Sequence, residues 1–151
     1  MDYEVNIVKR NDKEIITRIL EIEKEVFGDA GLCSWSLIPL IRHGRLMTLV
    51  YFDQIVGSAQ FFRDWEEPGR VYLVGIAIDK NHQGKGLGTL FLKECLDKLR
   101  KEGINKVELT VHPKNYIAKK IYMDKLGFRI FEEREDEYGP GEDRLAMVLT
   151  L

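Results

Sequence analysis

A glycine-rich turn between an apolar segment and an amphipathic helix constrains this sequence more than any other feature. Residues 71–78 are nearly all apolar, and the turn Gln83-Gly84-Lys85-Gly86-Leu87-Gly88 follows shortly after them. Glycine has no Cβ to block a ligand, and the N–H groups at a helix N-terminus attract negative charge. The turn therefore predicts an anion site suited to a pyrophosphate, with Lys85 adding charge at its rim. A plain strand-to-helix turn that is rich in glycine is the alternative.

Two other glycine motifs fit this spacing poorly. A P-loop requires Ser or Thr after Gly-Lys, whereas Gly86 follows Lys85 here. A dinucleotide-binding fingerprint requires G-x-G-x-x-G, and Gly88 comes one residue early for it. Glu108 is a candidate for the ribose-binding acid of such a domain, but it falls inside its strand. An NAD-binding domain is thus a weaker alternative, which a test of the nucleotide that raises Tm would separate.

Length and composition favour a single soluble domain over residues 1–151. The chain has 151 residues, of which 44% are apolar and 32% are charged, enough to bury a core. No apolar run approaches the roughly 20 residues of a membrane span, and no secretory signal pattern is present. We therefore expect a cytoplasmic protein with no membrane partner. The net charge of −2 also argues against nucleic acid as a partner.

Cysteine and histidine usage predicts neither a disulfide framework nor a metal site. Cys33 and Cys95 are the two cysteines, and Cys95 lies on the apolar side of a predicted helix. The three histidines are scattered, without a pair at metal-ligand spacing. We therefore predict no metal and assign no nucleophilic role to Cys95.

Hydrophobic periodicity predicts strands and helices in alternation, as in an α/β domain with a mixed sheet. Strands are predicted at residues 3–8, 46–52, 55–63, 71–78, 106–111, 128–134 and 144–151. Helices are predicted from Asn11 or Asp12 to 27, from 87 to about 102, and over 115–126. Ser34 or Ser36 is expected to cap a further short helix with Pro39 in its first turn. Asp53-Gln54 is expected to form a hairpin turn, and the strand at 71–78 to be buried on both faces.

Two motifs together give the chain a resemblance to a known family. Gln83-x-x-Gly86-x-Gly88 matches the Q/R-x-x-G-x-G/A motif of the GNAT superfamily of N-acetyltransferases. A second group of residues resembles the N-x-x-A-x-x-x-Y-x-x-x-L-G-F pattern of the same family: Asn115, Ala118, Tyr122, Leu126, Gly127 and Phe128. The resemblance spans nearly the whole chain. It implies a mixed central sheet of about seven strands flanked by about four helices, and acetyl-CoA as co-substrate.

The resemblance also implies a role for each residue that matches. The backbone of Ile76, Ala77 and Ile78 is expected to hold the acetyl and pantetheine part. The pyrophosphate is expected at the turn, formed by Gln83, Gly84, Lys85, Gly86, Leu87, Gly88 and Thr89. Asn115 and Ala118 are expected to contact the cofactor, and Tyr122 to contact it and protonate the leaving thiolate. A phenol with a pKa near 10 suits that task, because a thiol has a pKa near 8.5; a packing aromatic is the alternative.

The group that removes the proton from the amine is left open by the sequence. Glu108 lies in a strand, and Thr110 shares its face because strand side chains alternate. Glu108 is the predicted general base, although an ordinary surface glutamate also fits. His112 and a water relay are the other candidates.

Further segments resemble the ribosomal-protein alanine N-acetyltransferases, which modify protein N-termini. Ile22-Glu23, Trp35-Ser36 and the tail 138–143 carry this resemblance, which implies substrate contacts for Trp35, Thr110 and Tyr138. The chain departs from that group in two places: Thr110 replaces a catalytic Glu, and Glu137-Tyr138 replaces paired tyrosines. An acidic stretch over residues 132–137 suits a cationic amine or, equally, a solvated loop.

We therefore expect direct acetyl transfer from acetyl-CoA to a primary amine, possibly a protein N-terminal α-amine, without a covalent enzyme intermediate. A small-molecule amine (a polyamine, an aminoglycoside or an amino acid) is the alternative acceptor. A non-catalytic domain that senses acyl-CoA is the alternative from another class. The apolar last strand is a candidate for pairing in a homodimer.

Overall fold

The structure is a computed structural model that describes residues 2–151. The chain divides into two compact units. The first unit runs up to Phe62 and includes Val74–Cys95, and the second consists of Arg63–Leu73 and Leu96–Leu151. Strand β4 and helix α3, defined below, each contribute residues to both units.

Residues 2–151 contain a seven-stranded sheet with the strand order β1-β2-β3-β4-β5-β7-β6. The strands are β1 Tyr3–Val8, β2 Arg45–Tyr51, β3 Gln54–Arg63, β4 Arg70–Ile78, β5 Lys106–Val111, β6 Arg129–Arg134 and β7 Arg144–Thr150. The helices are α1 Lys13–Phe27, α2 Ser34–His43, α3 Leu87–Lys101 and α4 Tyr116–Lys120. Strands β4 and β5 are parallel, whereas β1–β2, β2–β3, β5–β7 and β6–β7 are antiparallel. The predicted mixed α/β architecture is confirmed.

In the first unit, helix α1 begins where the sequence predicts. The Asp12 carboxylate accepts hydrogen bonds from the N–H groups of Glu14 and Ile15, at 3.1 and 3.2 Å. Capping of this kind satisfies N–H groups that have no partner inside the helix. The apolar face of α1 joins α2, β1 and β2 in a buried cluster of Val8, Ile16, Ile19, Leu37, Ile41 and Leu46.

Helix α2 differs from the prediction at its first turn. It begins at Ser34 with Cys33 as the N-cap residue, so neither serine occupies the cap position. The Ser36 hydroxyl instead lies inside the first turn and accepts the Cys33 N–H at 3.3 Å. Pro39 consequently falls in the helix interior rather than in the first turn.

The hairpin between β2 and β3 turns one residue earlier than predicted. Phe52 and Asp53 have φ angles of 47° and 64°, and Gln54 already pairs with Tyr51. Two successive left-handed residues match the twist of a two-residue hairpin. Phenylalanine rarely adopts this conformation, so nothing in the sequence pattern marks Phe52 as a turn residue.

Burial along β4 also differs from the prediction of a strand covered on both faces. Val71, Leu73 and Ala77 are buried, whereas Tyr72 and Ile76 are only half-buried. A uniformly apolar sequence hides this alternation, since both faces carry the same kind of side chain. Of the two faces, the one with Tyr72 and Ile76 is the more accessible.

In the second unit, β5 and the end of α3 follow the prediction. Val107, Leu109 and Val111 are buried, while Glu108 and Thr110 share the half-buried face. Helix α3 ends at Lys101, close to the predicted end at about 102. Gly103, which follows, has φ of +88°, and the Ile104 N–H donates to the Leu99 carbonyl at 3.0 Å.

The predicted helix over 115–126 is present but changes character halfway. Asn115 is its N-cap, with the Asn115 side-chain oxygen accepting the Ala118 N–H at 3.2 Å. After Lys120 the chain continues as a π-helical turn, Ile121–Lys125. The Leu126 N–H reaches back five residues to the Ile121 carbonyl, at 3.2 Å. Single π turns of this kind occur frequently at functional sites.

Candidate active site

The glycine turn lies in the first unit, immediately before α3. Gly84 and Gly86 both have φ of +78°, a conformation that side chains with a Cβ rarely adopt. A Cβ built on either glycine would meet no atom within 4 Å. Open space therefore lies in front of both glycines, which is what a backbone-lined cradle for a ligand requires.

Helix α3 begins with N–H groups that have no acceptor inside the helix. Gly86 precedes its first residue, and the Gly86 carbonyl accepts the Leu90 N–H at 3.2 Å. The N–H groups of Leu87, Gly88 and Thr89 belong to the first turn, which leaves them free to bind an anion. Lys85 is exposed beside them. These residues fit the phosphates of coenzyme A, since donors and positive charge lie together at one helix end.

A network of partly buried hydrogen bonds holds the chain that enters this turn. Asp79 is buried and accepts from Arg18 Nη2 at 2.7 Å, and it lies 2.6 Å from His82 Nδ1. The Gln83 side-chain amide donates to the carbonyl of Ile78 at 2.9 Å, which links the two ends of the segment 78–83. Sequence reasoning missed Arg18 and Asp79, because 61 residues separate the two.

Two other predicted site elements belong to the first unit. Ala77 and Ile78 are buried at the end of β4, and Ile76 is half-buried. Trp35 lies in the first turn of α2 with 89% of its surface exposed. So large an exposed aromatic surface is unusual for tryptophan and suits a residue that meets a binding partner.

Tyr122 lies in the second unit, within the π-helical turn that follows α4. Its ring contacts Phe128 edge to face, with 5.8 Å between ring centroids, and its carbonyl accepts the Phe128 N–H at 2.9 Å. Burial raises the pKa of the Tyr122 phenol above its usual value of 10.0. The hydroxyl therefore stays protonated over the whole physiological range, as a proton donor must.

Glu108, the predicted general base, is engaged on both oxygens by arginine. Its Oε1 pairs with Arg70 Nη2, and its Oε2 lies 3.4 Å from Arg134 Nη1. The Glu108 side chain is only 12% exposed. A hydrogen bond to Glu132 is the largest cause of a raised pKa at Arg134, with the charges of Glu108 and Glu137 adding to it. Arg70 and Arg134 thus both form ion pairs with Glu108, an arrangement that the sequence did not reveal.

Next to these ion pairs, Tyr72 of β4 contacts Thr110 of β5, which is a predicted substrate-binding residue. The Tyr72 hydroxyl lies 2.9 Å from Thr110 Oγ1. Burial is the largest cause that raises the pKa of Tyr72, to about 12, and a hydrogen bond with Tyr138 adds to it. The structure therefore brings Thr110 and Tyr138 together around Tyr72, a residue that sequence reasoning missed. His112, the other candidate base, accepts the Lys114 N–H on Nδ1 at 3.1 Å.

Within residues 2–151, no group of three or more His, Cys, Asp or Glu side chains is arranged to hold a metal ion. No helix in the described part of the chain is long and apolar enough to cross a membrane.

The strand order of the mixed sheet and the glycine turn between β4 and α3 are those of the GNAT acetyltransferase fold. Residues 16–128 match the Acetyltransferase (GNAT) family, and the chain belongs to that family. It is an acetyl-CoA-dependent N-acetyltransferase.

Two curated relatives and one solved structure illustrate the similarity. A [ribosomal protein bS18]-alanine N-acetyltransferase of Haemophilus ducreyi is 29% identical over 89% of this chain and 92% of its own length. A probable spermine N(1)-acetyltransferase of Bacillus subtilis subsp. natto is 33% identical over 54% of this chain and 57% of its own length. The crystal structure of the ribosomal-protein-S18-alanine N-acetyltransferase from Escherichia coli superposes with a TM-score of 0.83 at 20% identity, covering 99% of this chain and 94% of that chain.

Proposed function

We propose that this chain, acting as a single catalytic domain, transfers an acetyl group from acetyl-CoA directly to the α-amine of a protein N-terminus. The observation that carries the proposal is the pair of left-handed glycines, Gly84 and Gly86, at the start of α3. Their open backbone and the free N–H groups behind them match a pyrophosphate. The choice of acceptor is supported by the relative from Haemophilus ducreyi, whose described activity is on a ribosomal protein.

Acetyl-CoA supplies the activated acetyl group as a thioester. On the protein side, the turn residues bind the phosphates, and an N–H of the Ile76–Ile78 backbone hydrogen-bonds the acetyl carbonyl. Tyr122 donates its hydroxyl proton to the departing thiolate sulfur. A positioned acid of this kind accelerates such a step by about 10²–10⁴-fold. Cys95 is buried in α3, which agrees with direct transfer rather than a covalent enzyme intermediate.

Proton removal from the amine has three candidate routes: Glu108, His112 and a water relay. Glu108 is the carboxylate candidate, but guanidinium groups occupy both of its oxygens. The hydroxyls of Tyr72 and Thr110 lie 2.9 Å apart on the two adjacent strands, and they favour a route in which water takes the proton. We therefore favour the water relay and test Glu108 directly, as described in the Discussion.

A small polyamine is the second candidate acceptor. The similarity to the probable spermine N(1)-acetyltransferase supports it, as do two exposed carboxylates, Glu133 in β6 and Glu135 just after it. Glu133 and Glu135 line an open depression of about 410 Å³ together with Arg134, Asp143 and Arg144. The arginines in this lining weaken its attraction for a polycation, and we therefore rank the polyamine second.

An acceptor screen tests the proposed function. Purified protein is incubated with acetyl-CoA and, separately, lysine-free peptides with different N-terminal residues, spermine, spermidine and an aminoglycoside. Mass spectrometry then locates each added acetyl group. We expect acetylation at the peptide α-amine. A kcat/KM for spermine or the aminoglycoside at least tenfold above that of every peptide would reject the N-terminal assignment.

A further inference from the structure

A local concentration of positive charge lies in the second unit, where the chain runs through α4 and the π-helical turn to the start of β6. Within residues 114–129, which we call the basic face, there are five cationic side chains: Lys114, Lys119, Lys120, Lys125 and Arg129. Asp124 is the single carboxylate in this stretch, so five cations against one anion give a formal net charge of +4. The whole chain has a net charge of −2, which leaves −6 for the other residues. An expectation based on the charge of the whole chain therefore misses this face.

The cations of the basic face are accessible and are not neutralised by the fold. Four of the five are exposed, and Lys119 is half-buried. None of the five forms an ion pair with a carboxylate among residues 2–151. Elsewhere in the same unit, by contrast, Arg70, Arg134 and Arg144 all pair with glutamates. The donors of the basic face therefore remain available to an external anion.

An exposed tyrosine lies among these cations. Tyr116 is the first residue of α4 and is 70% exposed, and Ile117 beside it is 78% exposed. The Nζ atom of Lys119 lies 4.8 Å from the centre of the Tyr116 ring. Single-stranded nucleic acids bind to this combination of groups, because their bases stack on aromatic rings while their phosphates contact lysine and arginine.

The length of the basic face suits a few nucleotides. Residues 116–125 form α4 and the π-helical turn, which together extend over about 15 Å at a helical rise of about 1.5 Å per residue. A stacked strand carries one phosphate about every 3.4 Å, so roughly four phosphates match this length. The number of unpaired cations agrees with that estimate.

A membrane surface is the other polyanion to consider, and it fits the basic face less well. A helix that binds in the plane of a membrane presents a continuous apolar face on one side. Here α4 spans only Tyr116–Lys120, and the exposed large aliphatic side chains of the basic face are Ile117 and Met123. Charge without an extended apolar face favours a polynucleotide over a lipid bilayer.

We propose that the basic face binds a single-stranded polynucleotide, with its lysines and Arg129 on the phosphates and Tyr116 stacked on a base. Recognition by charge and stacking tolerates any base sequence, because every base has a flat face. The groups assigned here are not those expected at the cofactor, namely Asn115, Ala118 and Tyr122. The inference is therefore independent of the proposed function and holds whichever amine is acetylated.

Fluorescence anisotropy with labelled oligonucleotides tests the inference. The probes are oligouridylate and oligothymidylate of about 12 nucleotides, which represent RNA and DNA. A double variant, Lys120→Gln with Lys125→Gln, removes two cations of the basic face. Its matched control is Lys9→Gln with Lys13→Gln, since both of these lysines are exposed in the first unit. Tyr116→Ala removes the ring, and Tyr116→Phe keeps a ring that can stack.

Charge and stacking leave different signatures in the salt dependence. The slope of log K against log salt is about −0.7 for each phosphate contact with a single strand, so four contacts predict about −2.8 for the wild type. The Lys120/Lys125 double variant should bind at least fivefold more weakly, with a slope that is shallower by about 1.4. Tyr116→Ala should also lose at least fivefold in affinity but keep the wild-type slope. Tyr116→Phe and the Lys9/Lys13 control should stay within twofold of the wild type.

Saturating coenzyme A distinguishes the basic face from the cofactor site. We expect it to change the affinity for either oligonucleotide by less than twofold, whereas displacement would assign these cations to the cofactor and overturn the inference. Equal losses in the two double variants, or no binding by the folded wild type at about 50 mM salt, would overturn it as well. Binding to vesicles rich in anionic lipid without binding to either oligonucleotide would assign the face to membranes instead. If the Lys120/Lys125 variant or Tyr116→Ala fails to fold, visible as a lowered Tm, the other decides.

Discussion

The buried carboxylate of Asp79 lies 2.6 Å from Nδ1 of His82, and His82 precedes Gly86 by four residues. Its second oxygen binds Arg18 of α1 at 2.7 Å. A carboxylate only accepts hydrogen bonds, so this contact places a proton on Nδ1 and fixes the orientation of the ring. The entry to the glycine turn is thereby tied to a helix that lies distant in sequence.

Asp79→Asn should weaken this connection without changing the size of the side chain. We expect the free energy of unfolding to fall by about 1–3 kcal/mol, because bonds to charged groups are lost in a buried place. Coenzyme A affinity should fall at least threefold as the turn loosens. Urea denaturation and calorimetry measure the two effects. Asp97→Asn is the control, since Asp97 pairs with Arg100 on the surface of α3. Loss of stability with unchanged affinity would show that the network supports the fold and not the turn.

Tyr122→Phe should remove the acid and keep the ring contact with Phe128. We expect the single-turnover rate of acetyl transfer to fall by about 10²–10⁴-fold, with much smaller changes in Tm and acetyl-CoA affinity. Single-turnover measurement is needed because slow product release would mask the loss in kcat. A folded Tyr122→Phe protein with the wild-type rate would return Tyr122 to the role of a packing aromatic.

The pKa of Tyr122 also sets the alkaline limit of the reaction. An acid must be protonated to act, and burial raises the pKa of this phenol above 10.0. The single-turnover rate should therefore show no decline from loss of the acid until the pH exceeds about 10. A descending limb centred well below that pH, present in the wild type and absent in Tyr122→Phe, would contradict the raised pKa, and a limb that persists in Tyr122→Phe would belong to another group.

Glu108→Gln distinguishes a structural role of Glu108, as the ion-pair partner of Arg70 and Arg134, from a role as the general base. If the carboxylate mainly joins Arg70 and Arg134, the variant should lose about 1–3 kcal/mol of unfolding free energy, and its single-turnover rate should stay within about threefold. Urea denaturation and rapid-quench kinetics measure these quantities. A rate that drops 100-fold, together with loss of the ascending limb of the pH profile, would instead establish Glu108 as the general base.

Glu23 provides a pH-dependent test of the first unit. It is 2% exposed, and burial is the main cause that raises its pKa above 4.5, although hydrogen bonds from Leu32 and Gln60 oppose the shift. The folded state thus holds this proton more tightly than the unfolded state does, so stability falls as pH rises from about 4.5 through the raised pKa. Glu23→Gln keeps a hydrogen-bond acceptor and should lose this dependence. Equal slopes of unfolding free energy against pH in both proteins would contradict the account.

Most elements of the fold were predictable, because alternation and helical periodicity report burial directly. Two predictions were wrong for local reasons. Cys33 is the N-cap residue of α2, while the Ser36 hydroxyl accepts the Cys33 N–H from within the first turn. In the hairpin, Phe52 adopts a left-handed conformation. The π-helical turn at Tyr122 is a local change in backbone hydrogen bonding, which leaves no signature in composition.

The candidate site likewise contains residues that the sequence predicts and residues that only the structure reveals. The sequence predicts the glycine turn and Tyr122 as site residues because their motifs are contiguous or helically spaced. Tyr72, Arg70 and Asp79 were missed because their roles come from partners 38 or 61 residues away, which only strand pairing and helix docking reveal. Sequence reasoning could place Glu108 on a strand face but had no means of seeing its two arginine partners.

The binding of coenzyme A to the glycine turn is the central claim, and titration calorimetry of Gly86→Val tests it most directly. Gly103→Val is the matched control: Gly103 also has a positive φ, of +88°, with no atom within 4 Å of an added Cβ, and it lies at the other end of α3. Both variants carry the backbone strain, but only Gly86→Val places a side chain in the predicted cradle. We predict that a folded Gly86→Val protein binds coenzyme A at least tenfold more weakly, about 1.4 kcal/mol, while Gly103→Val stays within twofold of the wild type. Wild-type affinity in folded Gly86→Val, or equal weakening in both variants, would contradict the account.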